Sequence, residues 1–122
     1  MGLTLAKQDT VKSSTIASML LTFTHSGVGS GTTTPSISDT TLDTETDREA
    51  AFSTIIGANF LSINLFLDTT ENNGVNIAEA GIFNAISSGT MFNRNLTNVI
   101  AKTSSIEVFV EDKFILSIVN GA

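Results

Sequence analysis

The strongest constraint in this chain is a strict alternation. From Phe60 to Asp68, Leu61, Ile63, Leu65 and Leu67 alternate with Ser62, Asn64, Phe66 and Asp68. Side chains of a strand point to opposite faces in turn, so this pattern predicts a strand with one apolar face and one mixed face. The same pattern returns from Ile106 to Ile118, where Ile106, Val108, Val110, Phe114, Leu116 and Ile118 share a face with one intruder, Asp112. A bulge at Asp112 is expected to turn it outward. Half-buried strands need a second layer, and the resulting expectation is a mainly β fold: an antiparallel β-sandwich with one or two short N-terminal helices.

The remaining segments are read around those strands. Ala50 to Ile56 predicts a strand, closed by the turn Gly57-Ala58-Asn59, and Leu96 to Ile100 predicts a short one. Thr10 to Leu21 predicts a helix giving way to a strand near Leu20, with a strand from Ile16 to Thr24 as the alternative. A second helix is expected from Ser38 or Asp39, as N-cap, to about Asp47. Residues 1–9 read as a candidate extended arm, and 1–122 as a single domain. Gly27, Gly29 and Gly31 read as a loop whose glycines supply positive φ; their G-x-G-x-G spacing, with no helix after it, argues against a phosphate cradle.

Composition excludes several functions. The chain has no cysteine and one histidine, His25, so disulfides and thiolate or zinc sites are not expected. A net charge of −6 with only six Lys and Arg argues against nucleic acid as a partner. No window reaches the roughly 18 consecutive apolar residues of a membrane helix, and no signal peptide is evident, so the expectation is a protein made in a cytoplasm with no membrane partner. Asp39, Asp43, Glu45, Asp47 and Glu49 lack the spacing of a calcium loop and read as a solvated acidic loop in which Arg48 pairs with a neighbour. No nucleophile and base stand in a recognisable arrangement, so no catalytic residue, cofactor, metal or small-molecule substrate is assigned. Charged residues make up only 15% of the chain against 41% apolar ones, which suggests burial against other subunits; serine and threonine on exposed strands would explain it equally. Phe60 and Phe66, on the mixed strand face, are the candidate subunit interface.

Two stretches carry a more specific signal. Ile77-Ala78-Glu79-Ala80-Gly81-Ile82-Phe83-Asn84-Ala85 leads through Ser87-Ser88-Gly89-Thr90 to Met91-Phe92-Asn93-Arg94, which predicts a strand, a tight turn and a returning strand. About 45 residues earlier stands Gly29-Ser30-Gly31-Thr32-Thr33-Thr34-Pro35-Ser36-Ile37-Ser38-Asp39-Thr40-Thr41-Leu42-Asp43-Thr44-Glu45. In this order the two resemble the "GxGTTxPxxSDTxLxxE" and "REAGLFNA…SGGTMLAR" runs of domains in tailed-virus virion proteins, mostly fibre and other tail components. The resemblance spans Thr24 to Ile118 and implies a non-enzymatic virion structural protein. Such a protein would be a homo-oligomeric tail, neck or fibre-attachment component in contact with other virion proteins, with a capsid-surface decoration protein or a receptor-binding module as the alternative. Glu79, Gly81, Phe83 and Gly89 are the motif residues expected to be structural. Glu79 is expected to accept backbone hydrogen bonds within the hairpin, and the family's arginine before this glutamate is here Ala78.

Overall fold

The computed structural model describes residues 22–57 and 59–115. Along the chain run β1 (His25–Gly29), β2 (Glu45–Ala50), β3 (Ser53–Ile56), β4 (Phe60–Leu67), β5 (Asn76–Phe83), β6 (Met91–Ala101) and β7 (Val108–Ile115). They form a four-stranded sheet in the order β2-β1-β5-β6 and a three-stranded sheet in the order β3-β4-β7. Every pairing is antiparallel. The two sheets pack face to face, so the fold is a β-sandwich. The predicted helix over Thr10 to Leu21 falls outside the described residues.

The alternation in β4 builds the core. Leu61, Ile63, Leu65 and Leu67 are all buried, as are Val108 and Val110 of β7. Facing them, Val28 of β1 and Ile77, Ala80 and Ile82 of β5 complete two adjoining apolar clusters. Burying one such side chain is worth about 1.5–3 kcal/mol, so β4, with four, is the strand the sandwich can least lose.

Several expectations are corrected. The stretch around Gly27 and Gly29 is strand β1, and positive φ among the described glycines is confined to Gly74 and Gly89. The segment from Ser38 to Asp47 is not a helix. Asp39 instead closes a turn, accepting from the Ser36 N–H at 2.9 Å while its own N–H donates to the Ser36 carbonyl, and β2 begins at Glu45. The acidic residues from Glu45 onward are therefore a strand rather than a loop. Ala50 to Ile56 divides between the ends of β2 and β3, which lie in different sheets. Leu96 to Ile100 is the far half of one long β6 rather than a separate strand. Asp112 is not turned outward by a bulge. The β4–β7 register runs unbroken from Phe60↔Ile115 to Leu67↔Val108, so Asp112 sits opposite Ile63, buried. Its Oδ1 accepts from the amides of Asn93 at 2.9 Å and Asn95 at 3.2 Å, while Oδ2 is buried with no hydrogen-bond partner among the described residues, and burial pushes the carboxyl above its ordinary value against those two amides.

Candidate functional site

Two irregularities in the β5–β6 ladder set up the site. The register passes from Ile77↔Ile100 to Glu79↔Leu96, and from Ile82↔Asn93 to Phe83↔Met91, so the extra residues fall on β6 each time. Between them β5 alternates cleanly. Ala80 and Ile82 join the core, which leaves Glu79, Gly81 and Phe83 on the outer face of the four-stranded sheet. All three are nevertheless buried: residues 30–44, the connection between β1 and β2, fold over Glu79 and Gly81, and the Arg48 guanidinium covers the Phe83 ring.

Glu79 is the fastening point. Its Oε2 accepts from the backbone N–H of Gly31 at 2.7 Å and of Thr44 at 2.8 Å. Its Oε1 accepts from the Asp43 N–H at 2.8 Å and from Nε of Arg94 at 2.8 Å. An ionised carboxylate offers about four lone-pair sites, so all of its capacity is in use. Burial pushes the Glu79 carboxyl upward, but Arg94 and the three N–H groups outweigh it and hold the pKa below the ordinary range. Arg94, opposite Gly81 on β6, continues the chain of contacts: Nη1 donates to the Thr33 carbonyl at 2.8 Å and lies 3.4 Å from Oδ2 of Asp39. Its pair with Glu79 keeps the guanidinium firmly charged.

The surrounding residue types follow from this closeness. A Cβ on Gly29 would run into the Thr44 carbonyl and stand 2.7 Å from Oε2 of Glu79. On Gly81 it would lie 2.7 Å from the Asn93 carbonyl and 3.2 Å from Leu42, the apolar residue that seats the loop on the sheet. A second fastening holds the hairpin turn. Arg48 of β2 makes a forked pair with Glu45 at 2.7 and 3.0 Å, stacks 3.5 Å over the Phe83 ring, and donates to the carbonyls of Ala85 and Ser88. In that turn Gly89 adopts φ +70°, and Asn84 Oδ1 accepts from the Thr90 N–H at 2.7 Å.

The structure thus brings Glu79, Gly81 and Phe83 together with both motif stretches, and Gly89 lies in the turn they support. The backbone bonds to Glu79 come from the 30–44 connection, where the hairpin was expected to supply them, and the hairpin contributes its ion-pair partner, Arg94. That arginine was readable in the motif, but its role was not assigned from sequence. A polar cleft of about 270 Å³ lies beside the clasp, lined by Thr33, Ser38, Asp39, Thr41, Asp43 and Arg94 among others. In it Asp43 accepts from the Thr33 hydroxyl at 2.8 Å and Asp39 holds its own turn, while Nη2 of Arg94 is buried with no hydrogen-bond partner among the described residues.

Phe60 and Phe66 lie far from the clasp, on the outer face of the three-stranded sheet. Phe60 is half-buried beneath Lys113, whose Nζ stands 4.4 Å from the ring centre. Phe66 is half-buried against Phe52, ring centres 5.2 Å apart, and Phe109 meets Phe52 edge-on at 6.5 Å. Phe52 and Phe109, which the sequence reading passed over, are the exposed members at 65% and 54%.

Among the described residues one group of acids is close enough to hold a cation. Asp47, Glu49 and Glu71 each place a carboxylate oxygen within 4.8 Å of the others. Burial, followed by hydrogen bonding to and repulsion from Asp47 and Glu71, pushes the Glu49 carboxyl up to about 9, so Glu49 keeps its proton at neutral pH. His25, at the start of β1, contacts only its neighbour Thr24 in the hydrogen bonds described. No protein-family model and no curated protein sequence matches this chain.

Proposed function

We propose that this chain is a non-enzymatic virion structural protein, an assembling subunit of the tail, neck or fibre-attachment apparatus of a tailed virus. The observation that carries the reading is the clasp. The two stretches on which the resemblance rests meet at Glu79, whose carboxylate spends every acceptor site on three backbone N–H groups and Arg94. A reactive acid needs a free lone pair or a mobile proton, and Glu79 has neither at neutral pH. The motif residues therefore serve as a fastening that shapes one face of a small rigid sandwich. Two further features favour assembly: exposed Phe52 and Phe109, and a chain too small to bury all of its apolar residues.

The test is to locate the protein in particles. An antibody against the full chain, applied to particles of the virus encoding it, is expected to give gold label at the tail, the neck or the fibre base. Label on the capsid faces would move the assignment to a decoration protein. Absence of the chain from purified particles, checked by mass spectrometry, would overturn the reading.

A further inference from the structure

The geometry points to a partner for the outer face of the three-stranded sheet: a second copy of this chain, stacked face to face about a two-fold axis. The inference rests on the assembly-subunit reading and names the surface and the occupant. Along β7 the outward residues are Phe109, Glu111, Lys113 and Ile115, all exposed. Their register partners on β4 are Phe66, Asn64, Ser62 and Phe60. Read in either direction, the β7 row is apolar, charged, oppositely charged, apolar; on β4 the half-buried Phe60 and Phe66 stand at the ends of the face, and Ser62 and Asn64 between them are buried.

Such a face complements itself. An axis lying in the interface, perpendicular to the strands and level with Asp112, turns β7 of one copy antiparallel over β7 of the other. Phe109 then meets Ile115, Glu111 meets Lys113, and Phe66 meets Phe60. Packed sheets stand about 10 Å apart, close enough for these side chains to touch. Phe52 and the half-exposed Ile55 of β3 widen the apolar part.

Charge selects the same occupant. The chain carries −6, yet this face holds one acid and one base, while Asp39, Asp43, Glu45, Asp47 and Glu49 lie on or over the other sheet. A strongly acidic or basic partner gains nothing here, whereas two copies bring together faces that are neutral where they touch. The sheet edges offer no rival route. β2 is lined with charge, β3 has four residues, β6 is broken by two register shifts, and β7 points Asp112 inward. Each is a known way of preventing edge-to-edge pairing.

The test uses charge exchange in the full chain, followed by sedimentation velocity over a concentration series. Glu111→Lys and Lys113→Glu are each expected to weaken self-association about tenfold or more, because each sets like charges opposite one another. Mixed in equal amounts, the two variants should associate again, and the double variant E111K/K113E should self-associate like the wild type. Phe109→Asp should abolish association. All three positions are exposed, and matching thermal melts would show that folding is intact. A wild-type oligomer whose mass ignores the single exchanges would overturn this interface and leave the assembly reading standing. A wild type monomeric at every concentration would overturn the two-fold pair, while labelled particles would still support the virion assignment. Recovery in the mixture is the result that only a two-fold contact between these residues gives.

Discussion

At the scale of single residues, Glu79 carries the most weight because its replacement strands several partners at once. Glu79→Ala would leave Arg94 buried without its counter-ion and three N–H groups without an acceptor. Breaking a buried pair in this way costs about 3–5 kcal/mol. Glu79→Gln keeps one oxygen but turns an amide donor toward N–H donors, so a loss of similar order is expected; chemical denaturation checks both, and unchanged stability would refute the clasp. Two of the perturbed acids, Glu79 and Glu49, also predict a pH profile. Glu79 is held below its ordinary value, so its contribution is present above the unfolded carboxyl range and is lost as pH falls through the folded value. Glu49 acts in the opposite sense. With its carboxyl raised from 4.5 to about 9, its contribution is full below the unfolded value and is lost as pH climbs toward the folded one. Thermal melts should therefore show greatest stability in mild acid. Glu49→Gln should raise the melting temperature near pH 9 and change it little in mild acid. A variant that follows the wild-type curve at every pH would count against the raised Glu49 carboxyl.

At the scale of elements, the same clasp makes the long connection an element in its own right. Glu79 holds both ends of the excursion, at Gly31 on one side and at Asp43 and Thr44 on the other. Ile37, fully exposed at its tip, is the natural place for protease attack. A chain cut there is expected to stay together and melt cooperatively on a native column and in calorimetry, whereas the same cut in Glu79→Gln should loosen the sheet face. The hairpin turn depends on Gly89 in a similar way. Gly89→Ala would place a Cβ at positive φ and against Asn84 Oδ1, for a cost of roughly 1–2 kcal/mol by denaturation. How far these elements could be read from sequence depends on the range of the forces that shape them. Leu61 to Leu67 announced β4 because a half-buried strand writes period two into its residues. The β1 glycines misled because a glycine chosen for close approach looks like one chosen for positive φ, and only the tertiary neighbours, Thr44 and Glu79, separate the cases. Asp112 misled because its partners, Asn93 and Asn95, come from the other sheet. The donors to Glu79 were illegible for a simpler reason: they are backbone N–H groups 35 to 48 residues away, which every residue type but proline can supply.

At the scale of the whole molecule, the uneven placement of charge predicts how the protein responds to salt. Two copies of a chain with net charge −6 repel at long range even when the faces that touch are neutral. The Debye length shortens from about 30 Å at 0.01 M salt to about 8 Å at 0.15 M, so added salt removes most of that long-range repulsion. It weakens the exposed Glu111–Lys113 contacts as well, but exposed pairs are worth only about 0–1 kcal/mol each. The apolar contacts among Phe109, Ile115, Phe52 and Phe66 are not screened. Self-association of the wild type should therefore strengthen as salt rises from 0.01 M to 0.15 M. The mixture of the two single charge exchanges should weaken over the same range. In that mixture one chain loses an acid and gains a base while the other does the reverse, giving net charges of −4 and −8, and attraction at the contact becomes the larger electrostatic effect. Sedimentation equilibrium of both samples at the two salt concentrations makes the comparison. Opposite slopes identify an apolar interface whose charges set register; wild-type association that falls with salt would mean that charge, rather than the aromatic face, holds the copies together.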